Sequence, residues 1–314
     1  TRSLFLVFIS ICFLNVGFPQ FRNDSIRLSG YYDLALLKPD SVTFYLEEAD
    51  QLTRKHKRNS RWIETNDFLK VRYYLLSGKL DQASKLLKEV IRRKSPKHPD
   101  QAKFYNLMGS VSALQKKNDD AINWYRKTLE ILDEKGDSIQ SAYIKSNVAN
   151  IFFSTMDYER AYPYLEEAYR ATAVNDTLYG PSIEGMFAIV LLKTNQKKEA
   201  FRHAGVALKR AEKSKNFQAL VIANYVLGEC YLDQKKTAES EQYFKKSLEL
   251  ASRTGQAYYM MLSNIGLLLV CNETHQFRKG IRYGDQALVI AGAMNNTNTL
   301  YSIYKNLAKA SSGT

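Results

Sequence analysis

The chain has 314 residues, 45% of them hydrophobic and 25% charged, and Lys plus Arg exceed Asp plus Glu by 13. That is ample apolar material for a packed protein and excludes an intrinsically disordered one, while the positive excess favours acidic partners or anionic surfaces without specifying a fold. Three cysteines and four histidines, with no C-x-x-C and no Cys/His cluster, argue against a disulfide framework or a structural zinc site, and six prolines with little period-two alternation favour helices.

In chain order, residues 4–18 form the apolar run LFLVFISICFLNVGF behind Arg2. The run is shorter than the roughly 20 residues of a membrane span and has the length of a signal-peptide core. Residues 1–20 are therefore expected to be a signal peptide or an N-terminal anchor, which would make the protein exported and extracytoplasmic, in the periplasm or cell envelope. Residues 24–58 read as a degenerate first repeat or cap: Gly30, Val42 and Ala49 fall in phase with the later repeats, but Asp33 stands where an aromatic is expected. Asp40 is a plausible N-cap for the helix after it.

Over residues 59–298 the chain repeats about every forty residues, in six units. A small-residue position recurs at Ala83, Ala121, Ala161, Ala200, Ser240 and Gly280, in steps of 38, 40, 39, 40 and 40. Seven residues further on stand Val90, Thr128, Ala168, Ala207, Ser247 and Ala287; twelve before stand Val71, Gly109, Ala149, Ala188 and Gly228. In the last unit the reading places Gly266 at this position, fourteen before Gly280, and so expects two extra residues in that turn. Polar turns such as KKNDD, TNQKK and DQKKT alternate with longer breaks at Gly136-Asp137, Gly180-Pro181 and Gly255, the spacing of helical hairpins. Residues 299–314 resemble a first helix and are expected to be part of a further, incomplete repeat or a C-terminal cap.

The clearest unit is residues 221–250, where Leu227, Gly228 and Tyr231 give L-G-x-x-Y and Phe244 follows thirteen residues after the tyrosine. That pattern resembles the tetratricopeptide repeat (TPR), a helix–turn–helix unit. The resemblance implies an all-α, right-handed solenoid in which Gly228 and Ser240 are the points of closest helix approach. It departs from the usual 34-residue period and lacks the proline that often closes a unit. The period of about 40 is similar to that of the TPR arrays of bacterial signalling proteins, which implies a non-enzymatic interaction or sensing module whose output domain lies outside this chain. A stand-alone envelope scaffold, or a cytoplasmic peptide-responsive or nucleic-acid-binding regulator, is the alternative.

Nothing in the sequence has the pattern of a catalytic site: there is no Gly-rich phosphate loop, HExxH or G-x-S-x-G. His203 and His275 are expected to be packing or surface residues. Cys230 and Cys271 are expected to be small buried side chains rather than a disulfide. Two basic clusters, Arg54, Lys55, Lys57, Arg58 and Arg61, and Arg92, Arg93, Lys94 and Lys97, fall at the ends of second helices. There they complement the helix dipole, which explains them better than a nucleic-acid patch does. No cofactor, metal or small-molecule substrate is expected, and membrane contact only through the N-terminal segment or a part beyond the C-terminus. The expected partner is another protein or an extended peptide segment.

In TPR arrays the first helices line the concave face. By phase, the positions expected to be exposed there and to bind a partner include Tyr143, Asn147, Asn150, Tyr225, Glu229 and Asn264. Asparagine offers a donor and an acceptor to a peptide backbone, and tyrosine offers apolar area with a polar tip. The lysine–asparagine clamp with which some TPR domains hold a chain-terminal carboxylate is not matched, since Asn106 and Ser146 stand where its first lysine belongs.

Overall fold

The computed structural model describes residues 42–55, 63, 66–67, 70–71, 73–75, 77–94, 100–172, 176–294 and 297–312. The apolar run at 4–18, the greater part of residues 24–58, and Lys57, Arg58, Arg61 and Lys97 lie outside them. The described residues fall into two compact units that divide between Asp137 and Ser138. The first holds α1 (Val42–Lys55), helical residues between 63 and 75, α2 (Leu80–Arg93), α3 (Gln101–Leu114) and α4 (Asn118–Glu134). The second holds α5 (Ser138–Ser154), α6 (Tyr158–Thr172), α7 (Gly180–Lys193), α8 (Lys197–Ser214), α9 (Phe217–Asp233), α10 (Thr237–Thr254), α11 (Ala257–Glu273), α12 (Phe277–Ala293) and α13 (Thr297–Ser311). No strand occurs among the described residues.

The two kinds of helix differ in sequence because they differ in surroundings. In the second unit α9 packs on its hairpin partner α10 and also on α7, α8 and α11. It is therefore apolar nearly all round, with every residue from Val221 to Gly228 buried. The second helices are amphipathic and bury one stripe: Ala200, Ala204, Ala207 and Ala211 in α8, and Ser240, Phe244, Ser247 and Ala251 in α10, all at 0% exposure. The small positions expected from the repeat are all buried, in both units.

The hairpins close tightly at the expected points. Ser240 Oγ donates to the Gly228 carbonyl at 2.8 Å, and Ser247 Oγ to that of Val221 at 3.0 Å. These bonds satisfy buried hydroxyls while letting the helix backbones approach. A Cβ added to Gly228 would lie 2.7 Å from the Phe244 ring, and one added to Gly109 would lie 2.6 Å from the ring of Tyr125, the residue in the corresponding position of the first unit.

The turns repeat as regularly as the helices. Gly78, Lys116, Met156, Asn195, Lys235 and His275 each have a positive φ of 57–70°. Each stands five residues before a small position, the last at Gly280. The turn before α12 therefore has no extra residues, which corrects the reading of the last unit. Leu268, not Gly266, is the counterpart of Gly228: a Cβ on Gly280 would meet Leu268 and Cys271, whereas one on Gly266 would meet Phe244 of the preceding hairpin. Gly266 is small because a neighbour's aromatic ring lies on it.

Cys230 and Cys271 are buried and free, and burial pushes both thiols up, that of Cys230 to about 12. Arg54 and Lys55 lie in the last turn of α1, and Arg92 and Arg93 in that of α2. This is where cations meet exposed helix carbonyls. Arg93 also pairs with Asp67 at 2.8 Å.

Candidate functional site

Within the second unit the first helices α5, α7, α9 and α11 follow one another, and their side chains build the candidate surface. On α5, Tyr143 and Asn147 are half-buried and Asn150 is exposed. The Tyr143 ring stacks on Tyr179 with centroids 4.6 Å apart. The side chains of Asn147 and Asn150 have no hydrogen-bond partner among the described residues. On α9, the Glu229 carboxylate pairs with Lys193 of α7 at 3.1 Å, with side chains 20% and 31% exposed. Burial opposes the Lys193 charge, but the Glu229 carboxylate and its hydrogen bond outweigh burial and raise the ammonium pKa.

Aromatic rings fill the space next to this pair. Phe153, at the end of α5, meets Tyr158 edge-on at 5.4 Å and Tyr258, at the start of α11, at 6.4 Å. The first and fourth hairpins of this unit thus touch through side chains across its inner side. Tyr225 lies below, with Phe244 at 6.0 Å and Tyr259 at 6.1 Å. Burial, and then the Glu229 charge, push the Tyr225 hydroxyl well above its ordinary pKa.

Two of the expected surface residues are therefore not exposed. Tyr225 is 4% exposed and forms part of the floor beneath Glu229; Asn264 is 2% exposed. Asn264 Nδ2 donates to the Met260 carbonyl at 2.9 Å, and its Oδ1 is buried without a partner among the described residues. The physical reason is the register of α11. Asn264 stands forty residues after Asn224, which bonds back to Leu220 in the same way at 2.7 Å, and eighty after Glu184. In this register the counterparts of Tyr225 and Glu229 on α11 are Ile265 and Leu269, both half-buried.

A buried charged cluster has no counterpart in the sequence reading. Glu184 of α7, 1% exposed, accepts from Arg210 Nη1 at 2.7 Å and lies 3.3 Å from His203 Nδ1. Arg210 Nη2 in turn donates to the carbonyls of Thr172 at 3.0 Å and Asp176 at 2.9 Å, which ties the crossing from α6 to the hairpin that follows. His203 Nε2 lies 2.7 Å from Arg202 Nη2, an obligate donor, so Nε2 accepts and Nδ1 carries the proton toward Glu184. Burial lowers the His203 pKa, and the hydrogen bond to Glu184 only partly restores it. The spacing of Glu184, Asn224 and Asn264 was the available signal: a polar residue recurring every forty positions on a buried face.

A cavity of about 440 Å³ lies at the turn side of α7–α9, lined by Leu192, Phe201 and Cys230 together with Lys197, Lys198, Asp233 and Gln234. Lys197 and Asp233 are paired across it at 2.6 Å. Among the described residues no group of three or more His, Cys, Asp or Glu side chains could hold a metal ion, and no helix is long and apolar enough to cross a membrane.

The same two-helix unit is recognised by family models. Residues 68–136 match one tetratricopeptide repeat model and residues 221–254 another. The chain is built of tetratricopeptide repeats. No curated protein matches the chain. Among solved structures it is similar to a Rap protein complexed with competence and sporulation factor, at 17% identity and a TM-score of 0.62, covering 92% of this chain and 86% of that one. It is also similar to NprR in complex with its cognate peptide NprX, at 18% identity and a TM-score of 0.61, with 91% and 82% covered. The apo form of the quorum sensor NprR from B. thuringiensis gives 16% identity and a TM-score of 0.57, with 90% and 80% covered. At these identities the likeness is one of fold, an all-α array of TPR hairpins.

Proposed function

We propose that this TPR chain is a non-enzymatic sensing or interaction module that takes an extended peptide segment of another protein on the inner side of its second unit. The observation that carries the proposal is the row of uncommitted polar groups on first helices. The Asn147 and Asn150 side chains have no partner among the described residues, and the Lys193–Glu229 pair stands half-open over an aromatic floor. Free amide groups match a peptide backbone whatever its side chains, and a partly exposed ion pair can exchange partners with a charged ligand. Two proteins of similar fold were solved with a cognate peptide or with competence and sporulation factor bound, which supports the same use here.

The reading extends to placement. Residues 4–18 support export, with the array as the extracytoplasmic part of a bacterial signalling protein whose output domain lies outside this chain. A fusion of residues 1–30 to a reporter active only outside the cytoplasm tests that part; a silent reporter would remove it.

Peptides selected from a display library against the whole chain test the site. Affinity for a selected peptide should fall at least about tenfold in the Asn147→Ala, Asn150→Ala double variant and in Glu229→Ala, with unchanged circular dichroism. Undiminished affinity in both variants would exclude this surface.

A further inference from the structure

Three gaps between successive hairpins of the second unit can be compared through the repeat register. Each is bounded by the end of a first helix, the start of its second helix and the end of the next first helix. In the gap after the α5–α6 hairpin, Phe153 and Tyr158 stand at the positions of Leu192 and Lys197, and their rings meet edge-on at 5.4 Å. In the gap after the α9–α10 hairpin, Glu241 stands at the position of Phe201 and is bridged by Lys245 at 2.8 Å and by Lys279 at 2.6 Å. Both gaps hold contacts between the chain's own side chains. The gap after the α7–α8 hairpin has neither device, and the cavity of about 440 Å³ lies there.

Its walls are chemically divided. Leu192 and Phe201 are half-buried and supply apolar surface, and the Phe201 ring is held edge-on against Tyr231 at 5.3 Å. Cys230, 3% exposed, is a neutral thiol because burial pushes it up to about 12, so this wall carries no charge. Lys197, Lys198 and Asp233 are exposed at the rim. Lys197 and Asp233 pair with each other at 2.6 Å, whereas Lys198 has no ion pair among the described residues. The cavity therefore joins an uncharged wall to one uncompensated positive charge. Small-molecule sites span about 300–1,000 Å³ and combine an apolar lining with a few polar groups, which this cavity does.

We propose that this cavity binds a small organic acid, a carboxylate carried on a flat apolar body, with the body against Leu192 and Phe201 and the carboxylate at Lys198. Charge complementarity selects the anion, since a cation of the same shape would meet two lysines against one aspartate. Gln234 adds an amide donor to the same rim. The residues used are not those of the peptide surface, so the proposal goes beyond the peptide-binding reading and does not depend on it.

The test uses the whole chain and naphthoate, followed by calorimetry and amide exchange. Naphthoate should bind saturably and slow exchange over residues 192–201 and 230–234, leaving residues 257–273 unchanged. Naphthamide, the uncharged counterpart, should bind at least about fivefold more weakly. Lys198→Glu should weaken naphthoate binding to a similar degree, and the fold should tolerate it because an acidic residue suits the first turn of a helix. Gln234→Trp, at an exposed position, should also lower affinity by placing a ring in the cavity, with unchanged circular dichroism. The proposal is overturned by an absence of saturable binding, by equal affinity for the acid and the amide, by binding that neither substitution weakens, or by exchange protection confined to other segments.

Discussion

Gly228→Ala tests the packing argument where two effects of opposite sign meet. In an exposed helix the change would stabilise by about 1 kcal/mol, because alanine loses less backbone entropy than glycine. Here the added Cβ would lie 2.7 Å from Cδ1 and 2.8 Å from Cε1 of Phe244. The ring has nowhere to go: Phe244 is at 0% exposure, and on its other side a Cβ on Gly266 would lie 2.5 Å from it. Overpacking of this kind costs about 1–3 kcal/mol, so Gly228→Ala should be destabilising by up to about 2 kcal/mol net. Phe244→Leu removes the ring and the conflict. In that background Gly228→Ala should become stabilising by about 1 kcal/mol, a coupling between neighbours of about 1–3 kcal/mol. Urea unfolding of the four proteins, with amide exchange over 217–254 because repeat arrays do not always unfold in two states, measures the cycle. If Gly228→Ala stabilises equally with and without the Phe244 ring, the close-approach account of the hairpin is wrong.

The same geometry sets further outcomes. Ala161→Leu and Ala200→Leu, both at 0% exposure, should each cost about 1–3 kcal/mol in thermal unfolding, and neutrality at both would mean the second helices face elsewhere. His203 is held neutral by burial, so the unfolded chain takes up a proton first as pH falls. Its contribution is complete above about pH 6.5 and is lost as pH falls from there toward the lower folded-state pKa. Wild-type stability should therefore drop over that interval and His203→Gln should drop less; equal slopes would dismiss the histidine as the cause. His275 has a φ of 57°, a left-handed conformation that glycine adopts more readily, so His275→Gly should raise stability by up to about 1 kcal/mol, and a loss would show that the side chain is needed.

The hairpins were legible in the sequence because close helix approach demands small residues, and Ala121, Ala161, Ala200 and Ser240 recur with the period of the unit. The last unit was misread for an instructive reason. Gly266 has the right residue type, but turn length, not residue type, sets the register, and a leucine serves at 268. The error set the register of α11 off by two residues and placed a buried asparagine, Asn264, on its expected surface. Tyr225 was misplaced for another reason: its position faces inward, but Phe153 and Tyr258 come together above that side only through the curvature of four successive hairpins. Curvature accumulates from small rotations between units and leaves no local mark in sequence. The Glu184–His203–Arg210 cluster was hidden because a charged residue on a helix reads as a solvated face unless its forty-residue phase is compared with buried neighbours.

Site-specific cross-linking decides whether the inner side of the second unit is where a partner lies. A photoreactive phenylalanine analogue at Asn150, on the exposed inner surface of α5, is compared with the same analogue at Lys209, on the exposed side of α8, each in the presence of a peptide selected against the wild-type chain. Cross-linking at position 150 that unlabelled peptide competes away, with none at position 209, is the result expected. Cross-linking at 209 and not at 150 would contradict an inner-face site.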